Sequence, residues 1–431
     1  MLVVEWASHL RMRKPRLFGV EAALPMPGPS PSSKPSRSLC LATACLAFTL
    51  GTVVGAIVAF VLLPGLPYQD LTNLTLPVTE TKASVTFVEP LKVNISHVRP
   101  EPIEITETNV IHIHSETVDG IFWSENVENL LPKGFTEEIE EEWIRYLKKS
   151  RIARLEEGCG RMQNRLVIFD NGKRSCGRYR QNFDQIQGEI FSYYLARLLG
   201  IRNLPPTSLA LVRPEKEKWF NIRSQLTLAQ WNEDRPVVLT QFIEGLEPAL
   251  IPPVLRNSTR RLHPSDISQF RVDEDVEQLK ELAQWSELII FDYLTANLDR
   301  VVNNMYNLQW NPQMMDAPAH NLVKDPQSGL LIFLDNESGL LHGYRLLDKY
   351  EHYHKLLLDS MCVFRRRTVK RLRKLQSGKN IGSLMKDLFE SREKEVSDYL
   401  PFLPDKTIKI LMQRIDRVLS QVDRCENLYQ S

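Results

Sequence analysis

Residues 276–304 read VEQLKELAQWSELIIFDYLTANLDRVVNN. Leu279, Leu282, Trp285, Leu288 and Ile289 recur at helical spacing, which predicts one long helix with a buried face over Val276–Ala296. The pattern stops at Asn297-Leu298-Asp299-Arg300, and a polar loop, Asp-Arg-Val-Val-Asn-Asn, is expected next. Downstream, Leu330–Leu334 reads as a buried strand that stops at Asp335-Asn336-Glu337. An acid placed just past buried scaffolding is held rigidly yet can face a cleft. Phosphoryl transfer needs such an inventory. One carboxylate accepts the hydroxyl proton, and a second carboxylate with an amide oxygen holds a divalent ion against the phosphates. Asp299 is the candidate base. Asn304 follows it five residues later, the D-x-x-x-x-N spacing of protein kinases, and Asp335 with Glu337 would complete the metal site.

The cationic half lies upstream. Arg165–Phe169 reads as a strand, Asp170-Asn171-Gly172-Lys173 as a tight turn, and the return strand carries Cys176 and Arg178. A helix is predicted over Asp184–Leu199, ended by Gly200 and Pro205-Pro206. Ser208–Val212 and Val237–Ile243 read as buried strands, and Glu244-Gly245 as a hinge. Kinases pair a strand cation with a Glu on the following helix, and Arg178 and Glu189 fit those positions. Arg180 and Lys173 stay open as alternatives for the cation. A short strand at Leu308–Trp310 and a loop over Asn311–Ser328 are expected between the two acidic motifs. The order is thus a β-rich half, 121–245, then an α-rich half, 246–431: an α+β chain.

The N-terminal region reads differently. Leu41–Leu63 is a nearly unbroken apolar run of 23 residues, long enough to cross a bilayer. Six Lys/Arg precede it, which predicts a cytosolic tail (1–38), a transmembrane signal anchor (39–63) and an exported remainder: type II topology. Gly51-x-x-x-Gly55 would allow a homodimer through that helix. Residues 64–120, rich in Thr, Glu, Val and Pro, read as a stem. Asn73, Asn94 and Asn257 head glycosylation sequons. Cys40 and Cys45 lie beside and within the apolar run, and the other cysteines are four: Cys159, Cys176, Cys362 and Cys425. Local loop closure favours Cys159–Cys176 and Cys362–Cys425 among three pairings, and the absence of C-x-x-C argues against zinc. A formal net charge of +1, with 25% charged and 43% hydrophobic residues, fits a globular chain and excludes one built to coat nucleic acid.

Three stretches resemble the four-jointed box kinases: Gln185-Ile-Gln-Gly-Glu189 with Phe191–Leu199, Phe291–Arg300, and Phe333–Gly339 with His342-Gly-Tyr-Arg345. The likeness runs from about Ile121 to Cys425. It implies an atypical two-lobed protein-kinase-like fold, behind the anchor and stem, related to the Golgi casein kinases. It implies a Golgi-lumenal Ser/Thr kinase that uses ATP with Mn²⁺ or Mg²⁺, membrane-anchored and also secreted after cleavage. Its substrates would be the cadherin repeats of Fat and Dachsous protocadherins, and its biology planar cell polarity. By family pattern Asp299 is the catalytic Asp and Asp335 the metal-binding Asp. This chain departs from ordinary kinases in lacking G-x-G-x-x-G, in reading Asn-Leu-Asp for His-Arg-Asp, and in placing Arg178 where a Lys is usual. The rival readings are a sugar kinase of the same fold, a catalytically inactive binding protein, and a glycosyltransferase using Asp273-Glu-Asp275. Asn336-Glu-Ser338 is a further sequon, and a glycan there would block the metal site, so Asn336 is expected to be unmodified. Arg365–Lys374 holds seven cations and reads as a solvated helix face.

Overall fold

Alternation of period two builds the sheet of the first half. In the computed structural model, which describes residues 116–256 and 261–430, the strands are β1 (Thr117–Val118), β2 (Phe122–Trp123), β3 (Ile152–Glu157), β4 (Arg165–Phe169), β5 (Arg174–Tyr179), β6 (Thr207–Leu211), β7 (Pro236–Gln241), β8 (Glu247–Leu250), β9 (Pro318–Lys324) and β10 (Leu331–Phe333). The helices are α1 (Glu125–Leu130), α2 (Glu137–Lys149), α3 (Phe183–Leu199), α4 (Arg223–Leu228), α5 (Pro253–Arg256), α6 (Pro264–Ile267), α7 (Val276–Thr295), α8 (Val301–Asn307), α9 (Leu341–Arg345), α10 (Leu347–Asp359), α11 (Arg366–Gly378), α12 (Ile381–Arg392) and α13 (Asp405–Tyr429). All described residues fall within the compact unit Ile105–Ser431.

A five-stranded antiparallel sheet, ordered β3-β4-β5-β7-β6, dominates the β-rich half. The Asn171-Gly172 turn joins β4 to β5, with Gly172 in the left-handed region at φ 82°. Val237 and Leu239 of β7 face an outer core with Trp143, Phe169, Tyr179 and Trp231. Val238, between them, faces a larger core shared with α3 and the C-terminal helices. A second sheet, β10-β9-β8, lies in the α-rich half. Residues 116–130 pack there too: Trp123 Nε1 donates to Ser286 Oγ of α7 at 3.1 Å.

Disulfides join Cys159 to Cys176 and Cys362 to Cys425. The first clips the β3–β4 connection onto β5.

Several expectations need correcting. Among the described residues no helix is long and apolar enough to cross a membrane. That finding counts against the single-pass type II layout, the signal anchor, the Golgi-membrane placement and the homodimer through a transmembrane helix, none of which the described residues carry. The run 39–63 itself lies outside the described residues, as do the stem through 115 and the sequons at Asn73, Asn94 and Asn257. The polar loop expected after Asp299 is helix α8, because the Arg300 carbonyl accepts from Asn303 N and Asn304 N and starts a turn at once. Leu308–Trp310 is then a turn, not a strand. Within the expected loop 311–328 runs β9, which pairs with β10 through Val323↔Ile332.

Candidate active site

Arg178 sits on β5 opposite Val238 of β7, so its side chain is fixed by a central strand. Its Nη1 forms an ion pair with Asp335 Oδ2 at 2.8 Å. Burial opposes the guanidinium charge, but Asp335, Glu189 and Glu337 outweigh it and hold the Arg178 pKa above its ordinary value. Glu189 lies nearly two turns into α3, buried, and accepts from the Asn336 backbone N. Burial pushes its carboxyl up to about 7; Arg178 opposes that shift, and the neighbouring Asp335 and Glu337 add to it. For Asp335, burial raises the pKa, but Arg178 outweighs it and the net shift is downward. Asp335 itself takes φ 51°, a left-handed position that turns the chain sharply after β10. Arg178, Glu189, Asp335 and Asn336 line one small cavity with Thr207, Thr240 and Phe333.

Glu337 is engaged differently. Arg180 Nη2 lies 2.8 Å from Oε1 and 2.7 Å from Oε2. Arg180 Nη1 also donates to Asn164 Oδ1 at 2.7 Å, and Asn164 Nδ2 donates to the Cys159 carbonyl at 2.7 Å. Arg161 Nη1 completes the set at 3.3 Å from Glu337 Oε1. Among the three cations left open by the sequence, Arg178 therefore meets Asp335 and Arg180 meets Glu337. Lys173 lies in the hairpin turn over the Tyr146 ring and pairs with Glu142.

The loop carrying Asp299 is stitched to the loop carrying Asp335. Asn297 Oδ1 accepts from Asp299 N at 3.0 Å and from Ser338 Oγ at 2.8 Å. Arg300 is fully buried, and its Nη2 donates to the Leu334 carbonyl at 2.9 Å and to Asn336 Oδ1 at 2.7 Å. Its Nη1 pairs with Asp292 at 2.5 Å. Asp299 stays partly exposed. His342 shares this neighbourhood: burial and Arg345 lower its pKa, while Asp299 and Glu337 act the other way. Two glycines permit the closeness. A Cβ on Gly188 of α3 would come within 2.7 Å of the Glu337 carbonyl oxygen, and one on Gly343 within 2.3 Å of the Ala296 carbonyl oxygen.

Asn304 is buried at its oxygen end. Its Nδ2 donates to the Met314 carbonyl at 2.9 Å, and its buried Oδ1 has no hydrogen-bond partner. Among the described residues no cluster of three His, Cys, Asp or Glu is arranged to hold a metal. Asp335 Oδ1, like Asn304 Oδ1, is buried and has no hydrogen-bond partner, so each leaves an oxygen free for a cation. A hard divalent ion suits such a carboxylate oxygen. Asn336 is buried, with both ends of its amide engaged by Arg300 and the Phe333 carbonyl, so it is closed to a glycan. Asp273 pairs with Arg271 at an exposed position, and Asp275 accepts from Arg271 N, away from these residues.

Arg161, Asn297, Arg300, Gly188 and His342 have no role in the sequence-based site, and Arg180 stands there only as an alternative cation. Gly188 alone left a signal, an isolated glycine inside a strongly apolar helix, which marks close backbone approach.

Comparison with known proteins places this geometry. Residues 138–428 match the model of the four-jointed box protein middle domain. The chain is 48% identical over 355 residues to the extracellular serine/threonine protein kinase four-jointed of Drosophila melanogaster, covering 72% of this chain and 61% of that protein. It thus spans less than two thirds of that relative. It is 39% identical over 313 residues to the Homo sapiens four-jointed box protein 1, covering 72% of this chain and 71% of that one. Among solved structures it is similar to the Golgi casein kinase with Mn/ADP bound, at 14% identity and TM-score 0.44, covering 70% and 81% of the two chains. Hydra Fam20 with sugar gives 13% identity and TM-score 0.46, covering 71% and 95%.

Proposed function

This chain belongs to the four-jointed box family, and from that premise we propose that it is a Ser/Thr protein kinase, transferring the γ-phosphate of ATP to hydroxyl groups in extracellular cadherin repeats of the Fat and Dachsous type. The observation that carries the reading is the junction of two acidic loops: Arg300 and Asn297 tie the Asp299 segment directly to the Leu334–Ser338 segment. A kinase needs its base and its phosphate-side carboxylate held at one rigid locus, because positioning and electrostatics supply nearly all of the catalysis.

In this reading Asp299, partly exposed at the end of α7, receives the acceptor hydroxyl and takes its proton. Asn297 fixes the Asp299 backbone, so the carboxylate does not have to be ordered at the moment of reaction. Arg178, paired with Asp335 and within the field of Glu189, is the cation for the phosphates. Its planar fork can bind phosphate bidentately, which a lysine cannot do. Asp335 Oδ1 would hold Mn²⁺ or Mg²⁺; such an ion, when bound, neutralises charge on the phosphate oxygens.

The test uses purified protein with ATP, Mn²⁺ or Mg²⁺, and isolated cadherin repeats. Asp299→Ala and Asp335→Ala should each lower phosphate incorporation by at least about a hundredfold, the scale of losing a positioned base or charge clamp. Incorporation unchanged in both variants sinks the assignment.

A further inference from the structure

Arg161 stands out among the cations at the site because its removal would leave its partner satisfied. Glu337 already receives Arg180 on both oxygens, at 2.8 and 2.7 Å. Arg161 adds one longer contact at 3.3 Å, and its side chain is more than half exposed. Arg178 and Arg180, by contrast, are both buried in their pairs.

The loop that carries Arg161 is fixed at its base and open at its tip. The Cys159–Cys176 bridge anchors one end to β5, two residues from Arg178. The Asn164 amide closes the loop onto the Cys159 carbonyl and receives Arg180. Between these anchors Met162 is 89% exposed, and a Cβ on Gly160 would meet nothing within 4 Å. The loop joins β3 to β4, the first two strands of the five-stranded sheet. That is the place where protein kinases carry the glycine-rich loop that covers the phosphates, and the motif is missing here.

We infer that Arg161, presented by the Cys159–Cys176 loop, binds the phosphate groups of the nucleotide in place of a glycine-rich loop. The inference rests on the kinase reading above. A phosphate offers a more concentrated charge and a fork-matching geometry than a carboxylate that is already neutralised. Arg161 can therefore exchange its single contact with Glu337 for phosphate oxygens while Arg180 keeps Glu337 paired. The disulfide makes the exchange local, since it holds the loop base while the tip side chain turns.

Calorimetric titration of the full chain with ATP and, separately, with adenosine tests the assignment. Arg161→Ala should weaken ATP binding about tenfold, the worth of one partly exposed charge-assisted contact, and leave adenosine affinity and the thermal midpoint unchanged. Arg161→Lys should recover part of the loss. In a Cys159→Ser/Cys176→Ser background, adding Arg161→Ala should weaken ATP binding by less than in the bridged protein. Wild-type ATP affinity in Arg161→Ala, or equal losses for ATP and adenosine, overturns the inference while leaving the kinase reading intact. Failure of the unaltered protein to bind ATP, with or without Mn²⁺, overturns both.

Discussion

Replacing Arg300 by methionine removes the one buried cation that joins the two acidic loops. The side chain is fully buried, and Asp292, its ion partner at 2.5 Å, is buried as well. Breaking such a pair from one side costs about 3–5 kcal/mol, because the remaining charge is left in a poor solvent. At roughly 2 °C per kcal/mol for a unit of this size, the thermal midpoint should fall by about 6–10 °C. The loss depends on pH. Burial raises Asp292 to about 6 from 3.8, with Arg300 holding it down. A carboxyl whose folded pKa is raised contributes its full stability below the unfolded value and loses it as pH rises through the folded value. Without Arg300 the folded value climbs further, so protonation relieves the variant at low pH and the ionisation penalty grows at high pH. The deficit relative to wild type should accordingly be smaller at pH 5.5 than at pH 8, by up to about 1.4 kcal/mol for each unit of further rise. Thermal unfolding at the two pH values measures this directly. Pairing Arg300→Met with Asp292→Leu removes the stranded charge and should restore part of the midpoint. Equal deficits at both pH values, or a double variant less stable than the single one, would refute the account of Arg300 as the neutralising tie.

Gly188→Ala places a Cβ 2.7 Å from the Glu337 carbonyl oxygen and 2.9 Å from that of Gly339. Backbone cannot swing aside as a side chain can, so a destabilisation of about 1–3 kcal/mol is expected, together with reduced phosphate transfer; a variant as stable as wild type by urea unfolding contradicts the close approach. Glu393 is buried against Tyr194, Ser208 and Leu209 N, and burial raises it to about 7, with those hydrogen bonds opposing. Its stabilising contribution is present below its unfolded pKa near 4.5 and is lost as pH rises through about 7. Glu393→Gln should therefore flatten the stability profile between pH 5 and 8 and gain relative to wild type at the alkaline end; an unchanged slope counts against it.

Periodicity made the scaffold readable. Val276–Thr295 and Phe183–Leu199 bury so many residues at helical spacing that both helices emerge within one residue of their expected ends. The Asn171-Gly172 hairpin has the same clarity, because Asn-Gly is the strongest short hairpin signal, and Gly172 takes the left-handed position. Strand β9 was not legible: Pro318, His320 and Asn321 break the apolar alternation, and Asn321 takes φ 55° inside the strand. Helix α8, VVNNMYN, was hidden because asparagine is a weak helix former. In the site, the kinase-like order brought Arg178, Glu189 and Asp335 together on paper. Arg180 and Glu337 were not legible as a pair because Arg180 stands in the sequence only as an alternative to Arg178, and Glu337 reads as a metal ligand. Arg300 stands next to the candidate base in the sequence, yet an arginine is read as solvent-facing by default. Nothing local signals that it is buried against Asp292.

The charges of this site explain why arginine stands at 178. The position is buried and must answer Asp335 and Glu189 together, with Glu337 close enough to raise its pKa as well. An ammonium is a strongly hydrated point charge whose pKa falls readily on burial, so a lysine here would be ionised only at the expense of its own desolvation. A guanidinium is weakly hydrated, stays charged under any accessible condition, and divides its donors between two directions. The same reasoning extends to Arg180 on Glu337 and Arg300 on Asp292. Asp335, Glu337 and Asp292 each face a guanidinium, and two of those guanidiniums also hold an oxygen of a neighbouring loop, as Arg180 holds Asn164 and Arg300 holds Leu334. Charge neutralisation and loop positioning are thus carried by the same side chains. A substitution that keeps the charge but loses the fork should therefore misplace the acids before it unfolds the chain.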